Sequence, residues 1–277
     1  MSEVAFLIMD LEDHGKREFA FRFLNGYLEL TGDYSGLQVL RYYLGYRATV
    51  RAKIASIGFA QRAERDSQAL LLKDMERYLK LALSYTQLQR PVLHITHGLS
   101  GSGKSTLSAP LAERMGAIRI RSDRERQRLF GKGKRDGEEA NIGVGVYSSD
   151  ATLHTYTKLE ELAEVVLESG YSVIIDATFL TRSQREPFKQ LADRLSVPLR
   201  ILYFHADNAV LRQRIEVRQR EGGDISEADP SVLEHQLNVY TGLDFDEQSY
   251  TIDIDTRSTH VSEDIISLIT QSLLKTA

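Results

Sequence analysis

The sequence predicts an α/β protein in which an all-α domain precedes a five-stranded parallel sheet covered by helices on both faces. Two observations predict this arrangement. From the N-terminus to Pro91 the hydrophobic residues recur with helical periodicity, and no strand signal interrupts them. After Pro91 short apolar runs alternate with amphipathic stretches, which is typical of a parallel sheet with helical crossovers. We therefore expect a helical domain at residues 1–88 and an α/β domain at residues 89–277.

The composition is that of an ordinary globular protein. The chain has 277 residues, of which 42% are hydrophobic and 27% charged, and its formal net charge is −4. It has no cysteine, which excludes disulfides, thiolate metal sites and a cysteine nucleophile and favours a cytoplasmic location. The mild acidity argues against general nucleic-acid binding, and Val4–Met9 is too short an apolar run for a membrane span or signal peptide, so we expect neither.

The helical domain is predicted from four amphipathic stretches. Thr31-Gly32-Asp33 ends the second stretch, because these residue types favour the turn that follows a helix. The result is a helical bundle or the helical half of something larger. The predicted helices are Val4–Leu11, Arg17–Leu30, Leu37–Ile57 and Ser67–Tyr85.

The α/β domain is predicted from five short apolar strands with helices between them. The predicted strands are Val92–Thr96, Ala117–Ile120, Tyr171–Ile175, Leu199–Phe204 and Tyr250–Ile254. The predicted helices are Lys104–Met115, Ala151–Glu168, Ser183–Leu195, Asn208–Gln219 and Ser231–Tyr240. The glycines from Gly131 to Gly145 predict a mobile loop.

A phosphate-binding loop follows the first strand. The segment from Gly98 to Ser105 fits the pattern G-x-x-x-x-G-K-[ST] at every fixed position. Its glycines let successive N–H groups face an anion, Lys104 reaches the β- and γ-phosphates, and the Ser105 hydroxyl is placed to bind Mg²⁺. We expect ATP and Mg²⁺ as cofactors. The expected nucleotide-binding residues are Gly98, Leu99, Ser100, Gly101, Ser102, Gly103, Lys104, Ser105 and Thr106.

Two carboxylates follow the second and third strands. Ligands of open parallel sheets bind at the carboxyl ends of the strands, so Asp123 is expected to face the phosphate-binding loop as a base, with Arg126 one helical turn on to hold the acceptor. The alternative for Asp123 is a helix cap. Asp176 ends an apolar strand in the manner of a Walker-B acid that orients Mg²⁺. Its alternative is a turn residue that merely ends a buried strand.

An arginine-bearing helix precedes Gly222-Gly223. Arg214 and Arg218 share one helix face, and the two glycines suggest a lid that closes on the nucleotide, where Arg218 would stabilise the transferred phosphoryl group. A solvated basic face is the alternative. Arg182 and Arg185 contact either the substrate or solvent, and the sequence does not decide between these.

The order of GLSGSGKST, RSDRER, VIIDATF and RIEVRQREGGDISEAD resembles the P-loop kinase-like ATP-binding domains grouped as the AAA_33 or zeta-toxin-like family, relatives of gluconate kinase and polynucleotide kinase. The resemblance extends from about Arg90 to the C-terminus and implies the three-layer sandwich of a P-loop NTPase kinase-like fold. It implies that Lys104 and Ser105 bind phosphate and Mg²⁺. Asp123 and Arg126 match the D-x-x-R pattern of polynucleotide kinases, which implies a general base and an acceptor-binding residue. The match of Arg214 and Arg218 to lid arginines is less close.

The first domain resembles the C-terminal helical segment of aminoglycoside-phosphotransferase-like domains, through VAFLIMDLEDHG, FLNGYLELTGDY and LRYYLGYRATVRAKI. That family's catalytic loop, H-G-D-x-H-x-x-N, is missing, since His14-Gly15 continues as Lys-Arg-Glu. The chain is expected to begin inside that family's domain, and residues 1–88 are expected to have no phosphotransferase activity. They would be a scaffold, a docking surface or a remnant whose apolar patch pairs with a second copy or a partner chain.

Two classes of function fit these sequence features. The first is an ATP-dependent kinase that phosphorylates a hydroxyl of a small-molecule or nucleotide-like acceptor, with a nucleic-acid 5′-hydroxyl kinase as a variant suggested by the basic residues between Arg119 and Arg135. The second is a regulatory ATP-binding module that hydrolyses ATP slowly and signals through its helical domain. The sequence leaves the acceptor open, because acceptor choice depends on loops.

Overall fold

The computed structural model describes residues 1–62, 64–87, 90–131, 149–221 and 230–257. The chain divides into two compact units, Met1–Gln89 and Arg90–Ala277. Most of the loop predicted between Gly131 and Gly145 lies outside the described residues, and so does the Gly222-Gly223 hinge.

Within residues 1–62 and 64–87, the first unit forms four α-helices and a short 3₁₀ turn at Tyr34–Gly36. The second helix ends where the sequence predicts, because Gly32 adopts a left-handed φ of 73° and its N–H closes on the carbonyl of Leu28. The helices are α1 Ser2–Asp13, α2 Arg17–Thr31, α3 Leu37–Gln61 and α4 Arg65–Ser84. Their common core includes the fully buried residues Met9, Leu24, Leu28, Tyr34, Leu37 and Leu40.

Ion pairs connect the helices of the first unit at its surface. Arg51 of α3 contacts the Asp10 carboxylate at 3.1 Å, and Arg77 of α4 contacts Asp13 at 2.7 Å. The Tyr85 hydroxyl donates to the Glu12 carboxylate at 2.6 Å. All three acidic residues near the end of α1 therefore bind neighbouring segments.

The second unit contains the predicted five-stranded sheet, and all of its strands are parallel. The order β2-β3-β1-β4-β5 places β1 at the centre. The strands are β1 Leu93–His97, β2 Ile118–Arg121, β3 Val173–Asp176, β4 Leu199–His205 and β5 Thr251–Asp255. The fold class and all five strands predicted from the sequence are confirmed, within one or two residues at each end.

Six helices of the second unit are described. They are α5 Lys104–Met115, α6 Ser122–Phe130, α7 Ser149–Glu168, α8 Arg182–Leu195, α9 Asn208–Glu221 and α10 Pro230–Val239. Leu107 and Leu111 of α5 pack with Ile174, Leu202 and Phe204 of the sheet. Within the described ranges of the chain, no helix has the length and apolar character that crossing a membrane requires.

The strand order creates a crevice at the carboxyl end of β1. This strand has β3 on one side and β4 on the other. The connections from strands on its two sides therefore run in opposite directions across the sheet, which leaves a crevice where β1 ends. Ligands of open α/β sheets bind in such crevices. The segment that begins at Gly98 directly after β1 therefore lies at the expected binding position.

Candidate active site

The loop from Gly98 to Gly103 joins β1 to α5 and depends on left-handed glycines. Gly98, Gly101 and Gly103 have φ values of 143°, 81° and 84°, which side chains rarely tolerate. A Cβ at Gly98 would lie 2.2 Å from the Phe204 carbonyl oxygen. Glycine is required there by conformation and by close packing against β4.

Lys104 is a buried cation at the start of α5. Its Nζ donates to the carbonyls of Gly98 and Leu99, each at 2.7 Å, and lies 3.3 Å from the Ser102 hydroxyl. Burial lowers the pKa of Lys104 to about 8, while the nearby carboxylates of Asp176 and Asp123 act in the opposite direction. An anion bound beside this ammonium would favour its charged form.

Asp176 ends β3 and faces the start of α5. Its Oδ1 accepts from the Ser105 hydroxyl at 3.2 Å, and its Oδ2 accepts from the Ser108 hydroxyl at 2.9 Å. Arg119 of β2 lies 3.9 Å from the same carboxylate and donates to the Ser105 carbonyl at 3.2 Å. A hydroxyl and a carboxylate in contact are the hard oxygen donors that Mg²⁺ prefers, so these two residues fit a magnesium ion that also takes phosphate and water ligands. Among the described residues there is no cluster of three or more His, Asp or Glu that could hold a metal alone.

Asp123 and Arg126 lie together on α6. The N-cap of α6 is Arg121, so Asp123 occupies the second helical position, and the interpretation of Asp123 as the helix cap is wrong. Burial raises the pKa of Asp123 above its usual range, with Arg126 opposing the shift and the charge of Asp176 adding to it. A carboxylate with a raised pKa is a better proton acceptor, which suits a base.

One cavity of about 210 Å³ brings these groups together. The predicted site residues that line it are Ser100, Gly101, Gly103, Lys104, Ser105, Thr106, Asp123, Arg126, Asp176 and Arg218. Gly98, Leu99, Ser102 and Arg214 are not among the described residues that line it. The cavity therefore combines loop residues from one end of β1 with residues from α6, β3 and α9.

Arg214 contacts the phosphate-binding loop without lining the cavity. Its guanidinium donates to the Gly101 carbonyl at 3.3 Å and to the hydroxyl and carbonyl of Thr256, which follows β5. The Thr256 hydroxyl in turn donates to the Ser102 carbonyl at 3.0 Å. Arg214 thus fixes the loop to the end of β5, and its predicted contact with the nucleotide stays a prediction.

One wall of the cavity consists of residues that were not predicted from the sequence. This wall carries Thr152, Tyr156, Thr178 and Gln184. The Tyr156 hydroxyl accepts from the N–H of Phe179 at 3.1 Å and lies 3.3 Å from the Thr178 hydroxyl. Phe179 has a φ of 47°, which a phenylalanine rarely adopts, so the tyrosine stabilises an unusual turn beside the cavity. Thr152 and Tyr156 share a face of α7 at i, i+4 spacing, but nothing in the sequence indicates that this face meets the β3–α8 turn.

Helix α10 forms another wall. Val232, His235, Gln236 and Val239 line the cavity at helical spacing, while Leu233 on the other side of the helix is buried. The Oε1 of Gln236 accepts from the N–H of Ser100 at 2.8 Å. The helix itself was predicted from the sequence, but its contact with the phosphate-binding loop was not, because Ser100 lies 136 residues earlier in the chain.

Arg182 and Arg185, which the sequence left open, both have protein partners. Arg185 is buried and pairs with Glu247 through two contacts of 2.6 Å, and it also donates to the Phe179 carbonyl at 3.0 Å. Arg182 is exposed and pairs with Asp244 and Asp246. Neither residue is among those that line the cavity, so their described contacts are structural.

The fold and the loop define the chain as a nucleotide-binding protein with a P-loop kinase-like fold. More particularly, residues 93–243 match the AAA_33 family, whose description is an AAA domain, and the chain belongs to that family. Uncharacterised proteins of Mycobacterium tuberculosis and Mycobacterium bovis are each 34% identical over 192 residues, which cover 69% of this chain. The chain spans only 38% of the length of these relatives.

A solved structure supports the fold. A provisionally assigned kinase from Chloroflexus aurantiacus is similar with a TM-score of 0.52 and 23% identity, covering 68% of this chain and 98% of that one. At this identity the likeness shows the shared fold alone.

Proposed function

We propose that the protein is a kinase that transfers the γ-phosphoryl group of Mg·ATP to a hydroxyl of a small-molecule or nucleotide-like acceptor. The observation that carries the proposal is that one cavity is lined by the phosphate-loop residues Lys104 and Ser105 and also by Asp123 and Arg126. A site that only binds a nucleotide needs no carboxylate besides Asp176. This cavity also contains Asp123, whose pKa is raised by burial, and Arg126 beside it. The provisional assignment of the Chloroflexus aurantiacus protein as a kinase agrees with this proposal.

The proposed reaction is an in-line displacement. The acceptor oxygen forms a bond to the γ-phosphorus, and the bond between that phosphorus and the β–γ bridging oxygen breaks. The hydroxyl proton passes to the Asp123 carboxylate, and the electron pair of the broken bond leaves on ADP. The products are ADP and a phosphomonoester, with Arg126 holding the acceptor in place.

The remaining groups stabilise charge. Lys104 binds the β- and γ-phosphates, and Arg218 approaches the transferred group from α9. Ser105 and Asp176 would hold Mg²⁺, which when bound neutralises part of the phosphate charge. Most of the rate enhancement then comes from positioning and electrostatics.

The test is transfer of label from ATP carrying a radioactive γ-phosphate. The acceptor panel contains sugars, sugar acids, aminoglycosides, nucleosides and 5′-hydroxyl oligonucleotides. Lys104→Ala serves as the blank, and Lys189→Ala, on the exposed face of α8 and paired there with Asp193, is the matched lysine control. Label in one acceptor, lost in Lys104→Ala and kept in Lys189→Ala, supports the proposal.

Other outcomes favour other functions. Label found only in inorganic phosphate, together with tight ATP binding, contradicts the proposal and favours the regulatory ATPase. Label in oligonucleotides, with binding that weakens steeply with salt, favours the 5′-hydroxyl kinase. Arg119, one of the basic residues behind that variant, contacts Asp176 and the Ser105 carbonyl. Arg119 is thus held by contacts within the protein, and the net charge of −4 also argues against nucleic acid as the favoured acceptor.

The helical unit enters the proposal as an accessory part. We keep the interpretation of residues 1–88 as an aminoglycoside-phosphotransferase-like segment without its own activity, and of its surface as a contact for a second copy or a partner chain. Tyr42 and Tyr46 stack on one exposed face of α3, which supports a contact surface of this kind. A cytoplasmic location is part of the same proposal.

A further inference from the structure

The side chain of Gln236 has a defined orientation at the mouth of the phosphate-binding loop. Its carboxamide oxygen accepts from the backbone N–H of Ser100 at 2.8 Å. A backbone N–H can only donate, so the atom facing it is the oxygen, and the assignment of oxygen and nitrogen is chemically fixed. The NH₂ group of Gln236 is therefore the donor end of a side chain that lines the cavity.

Packing holds α10 in this position. Leu233 is buried against Leu211 and Ile215 of α9, and Leu99 of the phosphate-binding loop joins the same cluster. After the helix, the N–H and the hydroxyl of Thr241 both donate to the Leu180 carbonyl, at 3.0 and 3.1 Å. The helix is thus attached to the loop at one point and to the β3–α8 turn at another, so Gln236 is placed before any ligand arrives.

The position of Ser100 along the loop identifies what the donor end would meet. The N–H groups at the start of α5, from Lys104 to Thr106, are those that take the α- and β-phosphates. Ser100 precedes these residues in the loop. A nucleoside triphosphate whose α- and β-phosphates bind at the start of α5 would therefore place its γ-phosphate toward Ser100. Arg218 lines the same cavity from α9, so the cavity has both a cation and a neutral donor among its lining residues.

We infer that Gln236 binds the γ-phosphoryl group of a nucleoside triphosphate and so distinguishes triphosphate from diphosphate. The inference rests on the proposed function, since it assigns the terminal phosphate of the same nucleotide. Gln236 presents two N–H donors without adding charge. It recognises the phosphoryl oxygens while its own oxygen stays on Ser100, and product ADP lacks this contact.

A purely structural role for Gln236 is distinguishable from this one. Gln236→Glu keeps an oxygen that accepts from the Ser100 N–H, so the attachment of α10 to the loop survives. The same substitution removes both donors and puts a negative charge against the γ-phosphate. Asn238→Asp is the matched control, because it adds the same charge to an exposed position two residues further along α10 that does not line the cavity.

The experiment measures the affinities of Mg·ADP and of a non-hydrolysable Mg·ATP analogue by calorimetry. We expect Gln236→Leu to lower the ratio of analogue affinity to ADP affinity by roughly 10- to 100-fold, the value of a hydrogen bond to a charged group. We expect Gln236→Glu to lower it further, because its negative charge also repels the γ-phosphate, and Asn238→Asp to leave it unchanged. Thermal unfolding of each variant confirms that it is folded.

The opposite results are equally clear. An unchanged ratio in both Gln236 variants overturns the inference, and so does tighter analogue binding by Gln236→Leu, which would mean that the glutamine merely occupies the phosphate position. Failure of the proposed function would give a different result. The wild-type protein would bind the ATP analogue and ADP, and the Gln236 variants would lower the ratio of the two affinities as expected, but no acceptor would be labelled.

Discussion

Nucleotide binding at alkaline pH should draw a proton onto Lys104. In the free protein, burial holds the pKa of this ammonium at about 8. Phosphates beside it favour the charged form and raise its pKa. Between the two pKa values the complex therefore holds more protons than the free protein, and binding takes protons up from the buffer.

The size of the effect follows from the pKa of the free protein. At pH 8.5 about a quarter of the Lys104 side chains are protonated before binding, so full protonation takes up roughly three quarters of a proton per nucleotide. The phosphates of Mg·ADP are already ionised at this pH. Burial also lowers the pKa of His97, beside the loop, to about 4, so this residue stays neutral and contributes nothing.

Calorimetry in two buffers of different ionisation enthalpy measures the uptake, because the apparent binding enthalpy changes with the buffer by the number of protons exchanged. Lys104→Arg is the matched control, since a guanidinium stays charged throughout and exchanges no proton. Zero uptake by the wild-type protein, or equal uptake by Lys104→Arg, would refute the assignment of Lys104 as a partly neutral cation that phosphate recharges.

Two further predictions concern carboxylates. Asp123→Asn should keep nucleotide affinity but slow transfer by about two to four powers of ten. In the wild-type protein kcat/KM should fall at acidic pH because the base must be ionised, and the fall should begin above the ordinary carboxyl range because burial raises the pKa of Asp123; the variant should lose this fall. Transfer at the parental rate would contradict the assignment. Glu247→Gln leaves the buried Arg185 cation without its charge partner and should lower the free energy of unfolding by about 3–5 kcal/mol, whereas Asp246→Asn at the exposed pair should change it little; equal losses in chemical denaturation would show that burial is not what matters.

The strands, helices and sheet of the protein are well predicted from the sequence, because they depend on local residue patterns. Branched aliphatic runs such as Val173–Ile175 favour strands wherever they lie, and left-handed Gly98 and Gly103 follow from the phosphate-loop pattern. Alternation of strands and helices then leaves few topologies. The loop, its lysine and the carboxylates at the strand ends were accessible from the sequence for this reason.

The rest of the site depends on packing between distant segments. Arg185 carries the same charge as the arginines proposed to bind the ligand. It is nevertheless buried, because Glu247, 62 residues later, pairs with it. Gln236 contacts a loop residue 136 positions earlier. No local pattern encodes such pairs, since each depends on where two separate elements meet in the fold.

Arg214 and Arg218 show the same limit within one helix. They share a face of α9, but the helical rise over four residues separates them by about 6 Å. Arg214 contacts the Gly101 carbonyl and Thr256 behind the loop, and Arg218 lines the cavity in front of it. The helix thus uses one arginine to hold the loop and offers the next to the ligand.

This division predicts different failures for the two alanine variants. Arg214→Ala removes hydrogen bonds from a charged donor and should cost about 1.5–3 kcal/mol of stability, which lowers the melting temperature of the nucleotide-free protein. Arg218→Ala should shift the melting temperature less and reduce kcat with little change in ADP affinity. If Arg218→Ala destabilises the free protein as much as Arg214→Ala does, both arginines hold the loop, and the positive charge that closes over the transferred group must come from another residue.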